Sequence, residues 1–197
     1  PNNAVLVIAG QFDKAQAKEW VKKYFSAIPK GAPVTRQKVE EAPITQEFKA
    51  SWEDPNIQIP MLVASYRTPS MKSRDARVLD MISTYLSDGK SSKLYKKIVD
   101  DKKMALQIGA FNYSQEDYGM YLIYGLPMGD NTTASILKEI DEEIAKMQTE
   151  LISENDFQKL QNKFESNYVS NNASVEGIAD NLATYYMLYG DINLINT

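Results

Sequence analysis

Apolar residues recur along this chain in two rhythms, and each change of rhythm marks an element. Residues 4–9 (AVLVIA) are a continuous apolar, β-branched run, which predicts a strand buried on both faces. Asp13 can cap a helix whose apolar positions are Ala17, Trp20, Val21, Tyr24, Phe25 and Ile28, spaced by threes and fours. Pro29, Gly31 and Pro33 end it, and residues 31–45, with a second proline at Pro43, sustain no period and read as a linker. From Gln46 the rhythm is twofold: Phe48, Ala50 and Trp52 alternate with polar residues as on a half-exposed strand. After the turn Asp54-Pro55-Asn56, residues 57–66 predict a second strand, with Ile57, Ile59, Met61 and Val63 on one side. Pro60 within it points to an edge or a bulge.

Ser70 or Ser73 can then cap a helix striped by Val78, Met81, Ile82, Tyr85 and Leu86 and closed by Gly89. The stretch SSKLYKKIVDDKKMALQIGA (residues 91–110) predicts a short helix with Leu94, Tyr95 and Ile98 inward, breaking into a buried strand. Residues 104–113 and 118–126 form a hairpin pair around Ser114-Gln115-Glu116-Asp117. In the second strand Tyr118, Met120, Leu122, Tyr124 and Leu126 share a face; Gly119 and Gly125 lie opposite, where a missing side chain admits close approach. Three helices follow. Ile136, Leu137, Ile140, Ile144, Met147 and Leu151 stripe the first. Phe157, Leu160, Phe164 and Tyr168 stripe the second, after a Ser153–Asp156 variant of the capping box. Ile178, Ala179, Leu182, Tyr185, Tyr186 and Tyr189 stripe the third, closed by Gly190. Asn131-Thr-Thr and Asn172-Ala-Ser match glycosylation acceptors in form, but each precedes a helix and reads as a cap. The order from Gln46, β-β-α-α-β-β-α-α-α, predicts an α+β fold: an antiparallel sheet of four strands with an open edge, covered on one face by helices.

Composition narrows the chemistry. The 197 residues are 43% hydrophobic, enough to bury a core, and contain no apolar run of the roughly 20 residues needed to span a bilayer. A net charge of −4 argues against nucleic acid as a partner. The lysines Lys90, Lys93, Lys96, Lys97, Lys102 and Lys103 are interrupted by Asp100 and Asp101, and read as the wet face of a helix. Glu139, Asp141, Glu142 and Glu143 likewise read as a solvated helix face rather than an all-carboxylate site. There is no Cys and no His. Disulfides, thiolate nucleophiles, a Ser-His-Asp triad and a histidine zinc site are thereby excluded from this chain.

Three stretches in order resemble the pitrilysin/insulinase family of zinc metallopeptidases, which includes mitochondrial processing peptidase and the core proteins of respiratory complex III. The opening PNNAVLVIAGQFDKAQAKEWVKKYFSAIPKG is similar to the strand and helix that close the family's metal-bearing domain. DARVLDMISTYLSDGKSSKLYKKIVDDKKMALQIGA resembles the signature of the domain that follows, and SENDFQKLQNKFESNYV its late helices. The resemblance implies residues 1–30 as the end of the metal-bearing domain, 31–45 as linker, and 46–197 as an inactive partner domain lacking its last strand. It implies a clamshell of such domains around a peptide, with His-x-x-Glu-His and zinc on the catalytic domain of the longer protein. No cofactor, catalytic residue or metal ligand is expected in this chain; its partners would be that catalytic domain and the peptide substrate.

In the family's substrate-orienting pair, an Arg is followed seven residues later by a Tyr. The resemblance puts Val99 and Leu106 at those positions, with Lys103 where glycine is usual. Neither aliphatic side chain can donate a hydrogen bond to an oxyanion. The expected function is therefore a non-catalytic domain of a zinc metalloendopeptidase; the alternative is a structural or peptide-binding member like the complex III core proteins. A bacterial cell envelope location is compatible with the missing cysteine. The missing last strand predicts that residues 4–9 pair with the vacant sheet edge, within the chain or from a neighbouring copy.

Overall fold

A computed structural model of the chain describes residues 2–35, 37, 40 and 42–196. Pro1, Thr197 and, within the expected linker, Arg36, Lys38, Val39 and Glu41 lie outside the described residues. In chain order the elements are α1 (Lys14–Phe25), β1 (Leu62–Pro69), α2 (Arg74–Ser87), a π-helical turn (Tyr95–Asp101), β2 (Ala105–Tyr113), β3 (Tyr118–Pro127), α3 (Thr133–Thr149), α4 (Glu154–Asn172), α5 (Val175–Tyr189) and a closing 3₁₀ turn (Ile192–Asn196). They form two compact units, residues 41–162 and residues 1–40 with 163–197.

The unit of residues 41–162 is built on a three-stranded antiparallel sheet in the order β1-β3-β2. β3 is central because the β2–β3 hairpin closes over residues 114–117 and β1 adds to its other side, with Tyr66 opposite Tyr121 and Ile123 opposite Ala110. Helices cover one face. Leu86 of α2, Leu94 and Ile98 of the π-helical turn, Ile123 of β3, and Ile136 and Ile140 of α3 are each at most 1% exposed. Burying a side chain of this size contributes about 1.5–3 kcal/mol, so these six outweigh any polar contact in the unit. Gly125 lets α3 sit close: a β-carbon there would stand 3.1 Å from Ile136 Cγ2. At Gly119 a β-carbon would fall 2.7 Å from the Tyr113 carbonyl oxygen. Both glycines thus serve the close approach that their place opposite the apolar stripe implies.

Local signals account for the helix ends. Ser73, not Ser70, caps α2 by accepting from Asp75 N. Thr132 and Ser135 form a reciprocal capping box at α3. At α4, Ser153 Oγ accepts from Asp156 N, while the Asp156 carboxylate turns to Ser153 Oγ and Lys93 Nζ; an aspartate serves the ion pair in place of a second backbone cap. Leu151 lies past the end of α3 and is fully exposed, outside the stripe it was expected to extend.

Three strand expectations fail. Residues 4–9 make no ladder with any described strand, and Leu6 and Ile8 are exposed, so the pairing expected within the chain is not made. Residues 46–52 are irregular, with Phe48 87% and Trp52 93% exposed. The strand expected over 57–66 begins only at Leu62, leaving Ile57, Ile59 and Met61 exposed before it. The common reason is that a strand is stable only against a partner. Pro60, which has no N–H to give, stands just ahead of the point where pairing starts.

In the unit of residues 1–40 with 163–197, Asp13 caps α1 through a 2.7 Å bond from Gln16 N. Asn2 closes on residues 31–32, its side chain accepting from Gly31 N at 3.0 Å and donating to Ala32 O. Ser174 caps α5, and Gly190 ends it in the left-handed conformation at φ 72°. The Tyr168 hydroxyl donates to Ile195 O at 2.7 Å, pinning the closing turn. A β-carbon at Gly177 would fall 1.8 Å from Asn171 O, so only glycine fits where α4 gives way to α5.

Candidate functional site

The segment that carries Val99 and Leu106 is a π-helical turn followed by a bulged strand. Leu94 and Ile98 anchor the turn in the core, and Lys102 N–H donates to Lys97 O, the five-residue spacing of a π-helix. Val99, one residue on, packs half-buried against the same core. Lys103 then takes φ 50°, a conformation that costs a β-carbon-bearing residue about 1–2 kcal/mol. The register of β2 against β3 shifts between Ala105 and Gln107, so Leu106 is the extra residue of a bulge, and it is 51% exposed. A bulge re-aims one side chain. Here it aims an isobutyl group, which can pack but cannot donate.

The two charge clusters correct the solvated-face reading, because they answer one another. Lys97, 18% exposed at its side chain, has its Nζ 2.9 Å from Glu139, 3.0 Å from Glu142 and 3.3 Å from Glu143. Lys102 reaches the other oxygen of Glu139 at 2.6 Å, and Lys146 reaches Glu143 at 2.7 Å. Lys93 pairs with Asp156 at 2.9 Å. Glu139 is itself buried. The lysines of the π-helical turn thus clasp the acidic face of α3. A one-dimensional pattern shows two wet helices; only the fold shows that they face each other.

The electrostatic consequences run against catalysis. Burial alone would lower the Lys97 ammonium, but its three carboxylate partners more than offset this and hold it above the ordinary lysine range. The hydrogen bond from Lys102, with Lys97 adding to it, holds Glu139 below the usual carboxylate range. Burial opposes ionisation of Glu143, yet Lys146 and Lys97 hold it low as well. Lys93 holds Asp156 low, and burial pushes the Tyr121 phenol up to about 12. Each of these pKa values is displaced away from pH 7. A general acid or base working near pH 7 needs the opposite displacement.

Zinc does not fit this chain. With no imidazole and no thiol, only carboxylates remain as donors, and the acidic cluster on α3 already holds three ammonium groups at ion-pair distance. Among the described residues no group of three or more candidate ligands is placed to hold a metal ion.

What the unit does present is a bare sheet face. Val63 of β1, Phe111 and Tyr113 of β2, and Met120, Leu122 and Tyr124 of β3 point away from the helices, and four of them are more than 40% exposed. Phe111 meets Tyr124 edge-on with ring centres 6.3 Å apart, and the Tyr124 ring lies over Gly109, where a β-carbon would collide with it. Beside β2 runs a groove of about 580 Å³ bordered by Ser87, Gly89, Lys90 and Tyr95 on one side and residues 107–111 on the other.

Residues 1–164 match the family model of the peptidase M16 inactive domain. The chain belongs to that family. The curated zinc protease PqqE of Helicobacter pylori is 25% identical to this inactive domain over 191 residues, 94% of the chain but 42% of PqqE. The crystal structure of a Helicobacter pylori protease covers 95% of the chain with a TM-score of 0.78 at 23% identity, using 46% of its own length. The periplasmic protease PqqL of Escherichia coli covers 95% of it with a TM-score of 0.72 at 14% identity, using 21% of its length, a likeness of fold. The chain thus spans under half the length of these relatives. The matched model is that of a peptidase domain that is inactive. No helix among the described residues is long and apolar enough to cross a membrane.

Proposed function

We propose that this chain is a wall of a peptidase clamshell. In the longer protein it packs on a zinc-bearing catalytic domain and closes a chamber around a peptide substrate. Residues 1–30 complete the catalytic domain, 31–45 link, and 46–197 are the inactive partner. The observation that carries this reading is the bare face of the sheet. Contiguous exposed apolar surface, here Val63, Phe111, Tyr113 and Met120 around the half-buried Tyr124, is the surface on which another polypeptide excludes water. Val99 packs on the covered core and Leu106 is turned outward, and neither contributes a hydrogen bond. Zinc belongs to the longer protein, on residues outside this chain. Residues 4–9, which pair with no described strand of this chain, give their strand to the catalytic domain's sheet; pairing with a second copy is the remaining form of self-association, and sedimentation of the 197-residue chain tests it.

The direct experiment replaces Val63 and Tyr124 by Ser in the longer protein. The reading expects kcat/KM for peptide cleavage to fall by about tenfold or more, equivalent to roughly 1.4 kcal/mol, with zinc content unchanged. Unchanged kcat/KM in a correctly folded variant would contradict it.

A further inference from the structure

Among the described residues no strand pairs with the outer side of β1 or of β2, and these two edges are protected differently. β1 carries Arg67 and Pro69, a charge and a proline, the usual residues that discourage a foreign strand. β2, ALQIGAFNY, has no charge and no proline along its whole length. Such a run on an open edge is a template for pairing with another copy of itself. The last turns of α2 lie beside residues 107–111, with Ser83, Thr84 and Ser87 lining the groove between them.

A single hydroxyl fastens that turn to the strand. Ser87, in the last turn of α2, accepts from Ala110 N at 2.8 Å and lies 3.0 Å from Ala110 O. Because both backbone groups of Ala110 turn toward Ser87, they face away from β3, and the alternation of an antiparallel pair places Ile108 and Asn112 on the same outward edge. Ala110 is the middle of the three. A strand adding to β2 must pair with these groups in turn, and the central pair is taken.

We propose that Ser87 is an edge guard: its hydroxyl occupies the outward backbone pair of Ala110 and keeps a second copy of this chain from adding its own β2 there. The Ser87 β-carbon, one bond from that hydroxyl, stands in the lane an added strand would take, so the hydroxyl guards the edge by holding the last turn of α2 against it. The hydroxyl's one proton goes to Ala110 O at 3.0 Å, and Ser83 O, 3.3 Å away in the preceding turn, is the competing acceptor.

Amide hydrogen exchange of the unmodified 197-residue chain tests this first. The Ala110 amide should exchange more slowly than those of Ile108 and Asn112; equal rates would overturn the proposal. Ser87→Ala should speed Ala110 exchange by about tenfold or more and make the chain self-associate in sedimentation at concentrations where the unmodified chain does not. Ser87→Thr, which keeps the hydroxyl, should behave as the unmodified chain. Adding Phe111→Lys to Ser87→Ala should restore the unassociated state by placing a charge on the edge. A Ser87→Ala chain that sediments like the original, or an original chain already paired through β2, would overturn the guard.

Discussion

One face of the sheet lies under α2, the π-helical turn and α3, while the other is bare, and the same strands furnish both. On β3, Tyr121 and Ile123 point into the covered face and are buried; Met120, Leu122 and Tyr124, their immediate neighbours, point the other way. Hydrophobicity therefore does not distinguish the two sides. What differs is the partner. The covered face is closed by helices of the same chain, and its apolar area stabilises the fold. The bare face adds nothing to stability until something else covers it, and this is why it reads as the working surface of a domain with no chemistry of its own.

Substitution should separate the faces sharply. Ile123→Ala, which empties a fully buried site, should cost about 2–5 kcal/mol in denaturant unfolding. Lys97→Met should cost about 2 kcal/mol, less than the roughly 3–5 of a wholly buried pair because the site keeps some water, and it leaves Glu139 and Glu143 without their shared cation. Gly119→Ala drives a methyl into the Tyr113 carbonyl and should cost about 1–3 kcal/mol. Met120→Ala on the bare face should stay within about 1 kcal/mol, and Leu106→Tyr within about 0.5. Equal losses for Ile123→Ala and Met120→Ala would mean that both faces are covered in solution.

The ion network also has a pH signature. Glu139 and Glu143 are held low, so their contribution is present above the unfolded carboxylate pKa near about 4.3 and is lost as pH falls through the depressed folded values. Lys97 is held high, so its contribution is present below the unfolded lysine pKa near about 10.4 and is lost as pH rises through the raised folded value. Between those limits the network contributes a flat term. Lys97→Met should shrink the acid-side loss, measured as the midpoint of urea unfolding against pH; an unchanged acid limb would show that these carboxylates are not paired in solution.

Much of this architecture was readable from residue order because its determinants are local. The hairpin at 114–117, the Asp13 and Ser73 caps, the left-handed Gly190 and the glycines opposite the β3 stripe each depend on neighbours a few residues away. Residues 4–9 and 46–52 were misread because a strand exists only with a partner, and apolar alternation does not say where that partner is. The salt-bridge network was missed for the same reason: Lys97 and Glu139 are 42 residues apart, and each run alone looks solvated. At the candidate site, sequence identified Val99 and Leu106 through resemblance. The bulge that turns Leu106 outward had no sequence signal, since it is a property of the pairing between two strands. Val78, placed on the inner stripe of α2, is instead exposed, and Leu79 beside it packs on the core.

The central claim is that this chain shapes a peptide chamber and performs no hydrolysis. Elemental analysis of the purified 197-residue chain, combined with a chelator-controlled peptide cleavage assay, tests it most directly. The account expects substoichiometric zinc and no cleavage above background with or without added metal. One zinc per chain together with cleavage abolished by chelator would contradict it.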